Sequence, residues 1–298
     1  MSERQISLIQ RAAARLKQTE TPGVVVPAQV NFSPMPHIKR DGPTPVPRFS
    51  SEANIGAPGL VVDRGKLAQA GISFSSDERS RLAEEFRVIK RQVLSIAQRQ
   101  DATDAAGKSK RLILVTSARP LEGKTFVAAN LALAIASEQD SRVLALDCDP
   151  TRQTLTEVFG VEQKSGFGDL LAGDLDGVSE ILIHTNIPNF NIIPFGQRHA
   201  NTPELFSGKR MKVLMEEMGR RYSDRYIVID APPCLATSEA STLAPLVGQI
   251  VFVVEANRTQ QTEIEEALRL VSACPNISLV LNKTDWGSPE QFGSHGYY

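Results

Sequence analysis

Cysteine is scarce in this 298-residue chain: only Cys148, Cys234 and Cys274 occur. None stands at metal-ligand spacing from another, and an odd, sparse set builds no disulfide framework; it fits a reducing cytosol. Net charge is small, at −1, which argues against a nucleic-acid binder working through bulk electrostatics. No apolar run approaches the roughly 20 residues that span a bilayer. The opening stretch "ISLIQRAAARLKQ" is broken by charges where a secretory signal would be apolar, so neither a membrane span nor a signal peptide is expected. Tyrosine is rare as well, and two of the four are the final residues, Tyr297 and Tyr298. What remains is 41% hydrophobic, enough for a sizeable core in one large α/β domain or two small ones.

Residues 3–18 suit a short helix within an N-terminal segment, 1–20. Ile6, Ile9, Ala13 and Leu16 recur at helical spacing, with Arg4, Arg11, Arg15 and Lys17 elsewhere. Such a helix docks on its own domain or a partner; a membrane-surface helix is the alternative, with a thin apolar face. Residues 21–59 hold 8 of the chain's 18 prolines and read as an extended, disordered tether. From Asp77 to Gln98 the spacing predicts an amphipathic helix, with Leu82, Phe86, Ile89, Val93 and Ile96 on one stripe and Glu84, Arg87, Lys90 and Arg91 mostly off it.

Beyond Lys110, short apolar runs alternate with helical stretches. Six strands are expected, in "RLILVTS", "RVLALDCD", "NFNIIPFG", "RYIVIDAPP", "QIVFVVEA" and "SLVLNKTD". Continuous apolar strands alternating with helices predict a mostly parallel sheet covered on both faces. On such sheets ligands sit at the carboxyl ends of the strands, where the charged motifs fall.

The first motif is "SARPLEGKT", Ser117 to Thr125, between a strand and a helix. Gly123, Lys124 and Thr125 match the end of a phosphate-binding loop, while Ala118 holds the first glycine position. The helix N-terminus favours phosphate, Lys124 would neutralise the β/γ-phosphates, and the Thr125 hydroxyl would ligate Mg²⁺. The second motif is "VLALDCDPTR", in which Asp147 and Asp149 end a strand and Arg152 follows. The third is "YIVIDAPP", ending in Asp230. Carboxylates at buried strand ends need a cation, and beside a phosphate loop that cation is Mg²⁺. "LNKTD" contains the N-K-x-D of guanine readers. The D-x-x-G that accompanies it in GTPases is absent, since Asp230 is followed by Ala231, Pro232 and Pro233. That points away from guanine, and Asn282 is left as a candidate for contact with an adenine.

Together the three motifs resemble those of the bacterial tyrosine kinases of the capsular exopolysaccharide family, which use a P-loop rather than a eukaryotic kinase fold. The ParA and MinD ATPases are the nearest rivals; they carry a signature lysine where this chain has Arg119. "EEFRVIK" is similar to the family's E-x-x-R-x-x-R subunit-interface motif, as Glu84, Arg87 and Lys90. "SLIQRAAARL", "NIPNFNIIPFGQRHANTPELF" and "SEASTLAPLVGQIVFVVEANRT" resemble the subgroup associated with exosortase and PEP-CTERM loci.

The resemblance implies an α/β P-loop NTPase fold of the ParA/MinD type over 60–286, followed by a flexible tail, 287–298. It implies ATP and Mg²⁺ as cofactors, bound through Pro120, Leu121, Glu122, Gly123, Lys124, Thr125, Phe126 and Asn282. Thr125, Asp147 and Asp230 would hold the metal. Lys124, Asp147 and Asp149 would be catalytic, with Asp147 accepting the tyrosine proton and Asp149 supporting the metal or orienting the acceptor. Tyr297 and Tyr298 would be phosphorylated in trans within a homo-oligomeric ring. An inner-membrane polysaccharide co-polymerase would activate the cytoplasmic kinase, holding it peripheral to the membrane, and a tyrosine phosphatase would reset it. No nucleic acid is expected. Two other classes stay open: an ATPase switch without tyrosine phosphorylation, and a non-catalytic scaffold.

Overall fold

The architecture follows from strands that are apolar on both faces. The computed structural model describes residues 59–72, 80–98, 107–162 and 164–284. The expected N-terminal helix, nearly all of the proline-rich tether and the tail with Tyr297 and Tyr298 lie outside the described residues, as does the whole of the chain's first compact unit, Met1–Thr44. The strands are β1 (Leu112–Ser117), β2 (Arg142–Asp147), β3 (Ile183–His184), β4 (Phe190–Ile193), β5 (Arg225–Asp230), β6 (Gln249–Glu255) and β7 (Ile277–Asn282). They form one seven-stranded sheet in the order β3-β4-β2-β5-β1-β6-β7. Every pairing is parallel except β3 with β4.

Alternation along each strand feeds two cores. Ile113 and Val115 of β1 face one side, and Leu112 and Leu114 the other. The first side is covered by α1 (Arg64–Gln69), α2 (Arg81–Ala97) and α3 (Lys124–Ala136). α3 is apolar nearly all round, and it is buried between the sheet and α2, whose Phe86 meets Phe126 edge-on at 5.9 Å. The short α4 (Thr154–Val158) follows on the same side. The second side is covered by α5 (Phe167–Ala172), α6 (Thr202–Ser207), α7 (Lys209–Arg221), α8 (Glu239–Leu243) and α9 (Gln261–Leu270). Among the described residues no helix is long and apolar enough to cross a membrane.

The six expected strands are present. The seventh, β3, is an addition: two residues paired against Asn191 and Ile192 carry no periodic signal. The expected helix from Asp77 begins later, at Arg81. Ser80 is its N-cap, with extended backbone and a hydroxyl that accepts the Ala83 N–H at 3.2 Å.

Candidate active site

The central strands β2, β5 and β1 lie side by side, so their carboxyl ends gather the three motifs. Asp147 and Asp230 are register partners on β2 and β5. The loop from β1 runs to Gly123, whose φ of +93° starts α3. Among the described residues no side chain caps that first turn, which leaves its N–H groups for an anion. A Cβ on Gly123 would displace the Asn282 side-chain amide, and the positive φ itself favours glycine there.

Several struts hold the loop. Asn282 Nδ2 donates to the Glu122 carbonyl at 2.9 Å, and Lys283 Nζ donates to the Leu121 carbonyl at 2.7 Å. The buried Glu122 carboxylate accepts the Arg119 N–H at 2.8 Å and the Thr259 hydroxyl. These bonds offset the backbone cost, about 1 kcal/mol, of Leu121 at a φ of +71°. Asn282 and Glu122 are thus engaged in shaping the loop. Ala118 is buried and its carbonyl accepts Leu235 N–H, a role that needs no glycine.

Lys124 Nζ is buried among the carboxylates, 2.9 Å from Asp149 Oδ2 and 3.7 Å from Asp230 Oδ1. Burial alone would lower its pKa, but Asp230 and Asp149 more than reverse that, and it lies above the ordinary value. Burial likewise works to raise Asp149, yet the Lys124 charge and hydrogen bond hold its carboxyl below the ordinary value. Asp230 is fully buried, and burial pushes it up to about 7 against the pull of Lys124. Its Oδ2 accepts the Thr125 hydroxyl at 2.7 Å, while Oδ1 is buried without a hydrogen bond. Burial also raises Asp147, whose oxygens accept the Asp149 N–H at 3.0 Å and both the N–H and hydroxyl of Thr156, at 3.0 and 2.7 Å.

A cavity of about 430 Å³ opens above this cluster. Lys124, Thr125, Asp149 and Arg152 supply its polar wall, and Pro120, Leu121, Phe126 and Pro233 its apolar one. Asp147 and Asp230 do not line it; they lie beneath. The structure therefore separates two aspartates that spacing could not. Asp149 faces the cavity, with Oδ1 on the Thr151 and Arg152 N–H groups at 3.1 Å and Oδ2 on Lys124, whereas Asp147, expected as base and metal ligand, lies beneath the cavity with its oxygens on Thr156 and the Asp149 backbone. Thr156 and Thr259 escaped the sequence reading, because their partners are brought together only by the fold. A larger groove, about 810 Å³, opens at the amino ends of the strands around Arg142 and Arg225, but both arginines pair with Asp224 there.

The donor set fits a hard divalent cation. The oxygens of Thr125, Asp149 and Asp230 gather around Lys124 Nζ, Asp147 adds a third carboxylate to that one cation, and Asp230 Oδ1 is buried without a hydrogen bond, an oxygen-only donor set of the kind such a cation takes.

On α2, Glu84 and Arg87 are paired with each other at the surface. Lys90 is buried and paired with Glu138, so the structure does not place it on the exposed face that an intersubunit contact needs. Tyr226 is buried beneath Arg111, and Tyr222 stacks with Arg225, structural roles for both.

Residues 111–274 match the model of the AAA domain family. The chain is 31% identical over 157 residues to the tyrosine-protein kinase ptk of Acinetobacter johnsonii, covering 53% of this chain and 21% of that protein. It is 32% identical over 167 residues to the tyrosine-protein kinase etk of Escherichia coli K12, covering 56% of this chain and 22% of that protein. The chain thus spans about a fifth of the length of these relatives. The solved kinase domain of the Escherichia coli tyrosine kinase ETK superposes with a TM-score of 0.61 at 30% identity, covering 71% of this chain and 80% of that domain.

Proposed function

We propose that this chain, which belongs to the AAA domain family, is an ATP-dependent protein-tyrosine kinase acting on its own tail tyrosines, Tyr297 and Tyr298. The observation that carries the reading is Lys124, set at the uncapped start of α3 and held among Asp149, Asp230 and Thr125. The tyrosine kinases similar in sequence and structure support it.

The loop from Pro120 to Phe126 cradles the ATP phosphates. The first-turn N–H groups of α3 donate to them, and Lys124 exchanges part of its contact with Asp149 for phosphate oxygen. Thr125 and Asp230 would hold Mg²⁺, which when bound neutralises charge on the phosphates. Asp149 is the carboxylate within reach of an incoming tyrosine hydroxyl, and it accepts the proton. Asp147 is a positioning residue that fixes Asp149 through its backbone N–H. Arg152, on the cavity wall, stabilises charge that develops on the transferring group. The phosphoryl group moves from the β–γ bridging oxygen to the tyrosine oxygen, leaving ADP and phosphotyrosine.

The resemblance of the three motifs supports a place in exopolysaccharide export, with transfer in trans inside a ring, activation by an inner-membrane co-polymerase and reversal by a phosphatase. In that setting the kinase is cytoplasmic and peripheral to the membrane. The test is label transfer from γ-labelled ATP and, separately, GTP, followed by phosphoamino-acid analysis. Phosphotyrosine from ATP is expected. Release of free phosphate with no labelled protein would favour the ATPase switch, and label only from GTP would overturn the adenine assignment.

A further inference from the structure

A second cluster of ligating groups lies outside the nucleotide cavity. Asp169 on α5 is nine-tenths buried, with its side chain 7% exposed. Its Oδ2 is satisfied by the N–H groups of Gly166 and Gln197, at 2.7 and 3.1 Å. Its Oδ1 faces His199 Nε2 at 3.5 Å. Beyond that nitrogen lies Asp174 Oδ2, at 3.8 Å. Nε2 is itself buried with no hydrogen-bond partner. The backbone of His199 is fixed by Thr202, whose hydroxyl accepts its N–H at 3.0 Å and donates to its carbonyl at 2.7 Å. Gly196 lets the loop come this close, since a Cβ there would sit 2.2 Å from Asp169 Oδ2.

The three donor atoms lie within 4.8 Å of one another. The nitrogen–oxygen separations exceed ordinary hydrogen-bond lengths. They are close to the roughly 3.4 Å between two donors that share a tetrahedral cation with bonds of about 2.1 Å. Two carboxylates match a divalent charge, and an imidazole nitrogen selects against magnesium and calcium. Asp174 is largely exposed and gives the ion an entry path.

We propose that Asp169, Asp174 and His199 form a divalent transition-metal site of the zinc type, with an open fourth position. The ion would clamp the turn after α5 to the loop that follows β4. That loop also takes the Gln153 side chain on the Gly196 carbonyl, just beyond the Asp147–Arg152 stretch. The site stands independently of the kinase reading.

The experiment uses the untagged, nucleotide-free full chain, titrated with zinc chloride against a competing chelator. Ring resonances of its four histidines are followed by NMR in parallel. Stoichiometric zinc uptake with movement of the His199 ring signals is expected. His199→Gln and Asp174→Asn should each lose that zinc while melting as the parent does in chelator. No uptake above the competitor, uptake retained in both variants, or zinc binding that leaves the His199 ring unmoved would overturn the proposal. If the variants melt early, the parent's own ring signals decide.

Discussion

Asp147 and Asp230 leave neighbouring strands at the same register, yet their surroundings set different tasks. The residue types were legible: apolar strands ending in aspartate beside Gly123-Lys124-Thr125 announce a phosphate site. Their division of labour was not, because Thr156, which occupies Asp147, is recruited across a turn. Asp149→Asn is expected to lower phosphoryl transfer roughly a hundredfold or more. Asp147→Asn should act more through stability, seen as a drop in melting temperature alongside a loss of turnover. Equal melting with a larger loss at Asp147 would restore it as the base. Asp230 carries a pH signature. Its folded pKa of about 7 exceeds its ordinary 3.8, so the folded chain binds the extra proton between those values. Its contribution to stability is therefore present at low pH and lost as pH rises through about 7. Asp230→Asn should raise the melting temperature of the nucleotide-free chain at pH 8 more than at pH 5, as calorimetry at the two pH values would read. A gain that is no larger at pH 8 would contradict this origin.

At the scale of elements, the strands were legible wherever a continuous apolar run had to be covered on both faces. β3 was not, since two residues at an edge show no period. The α2 stripe was legible, but its start was not: apolar spacing does not fix where a helix begins, and the extended backbone of Ser80 with its hydroxyl on the Ala83 N–H sets it. Ser80→Ala should cost about 1 kcal/mol, read as a shift in the denaturation midpoint. Lys90 lies off the apolar stripe by composition, yet its stem is buried and its ammonium reaches Glu138 at the end of α3. Glu84→Ala and Arg87→Ala should weaken self-association measured by sedimentation with little change in melting. Lys90→Ala should lower melting as well, and an unchanged melting temperature would return it to the exposed interface.

For the whole molecule, the site at the carboxyl ends of the strands would act on Tyr297 and Tyr298, which lie outside the described residues. If transfer occurs in trans, an isotope-heavy Lys124→Met chain mixed with unlabelled parent should gain phosphate that it cannot gain alone. A heavy chain that stays unmodified beside a phosphorylated parent would show transfer within one subunit. The central claim is tested most directly by the intact mass of the purified chain after incubation with Mg-ATP, read beside a Tyr297→Phe, Tyr298→Phe double variant. The account predicts phosphate-sized mass gains in the parent and none in the variant. ATP consumption with an unchanged parent mass, or gains that persist in the variant, would contradict it.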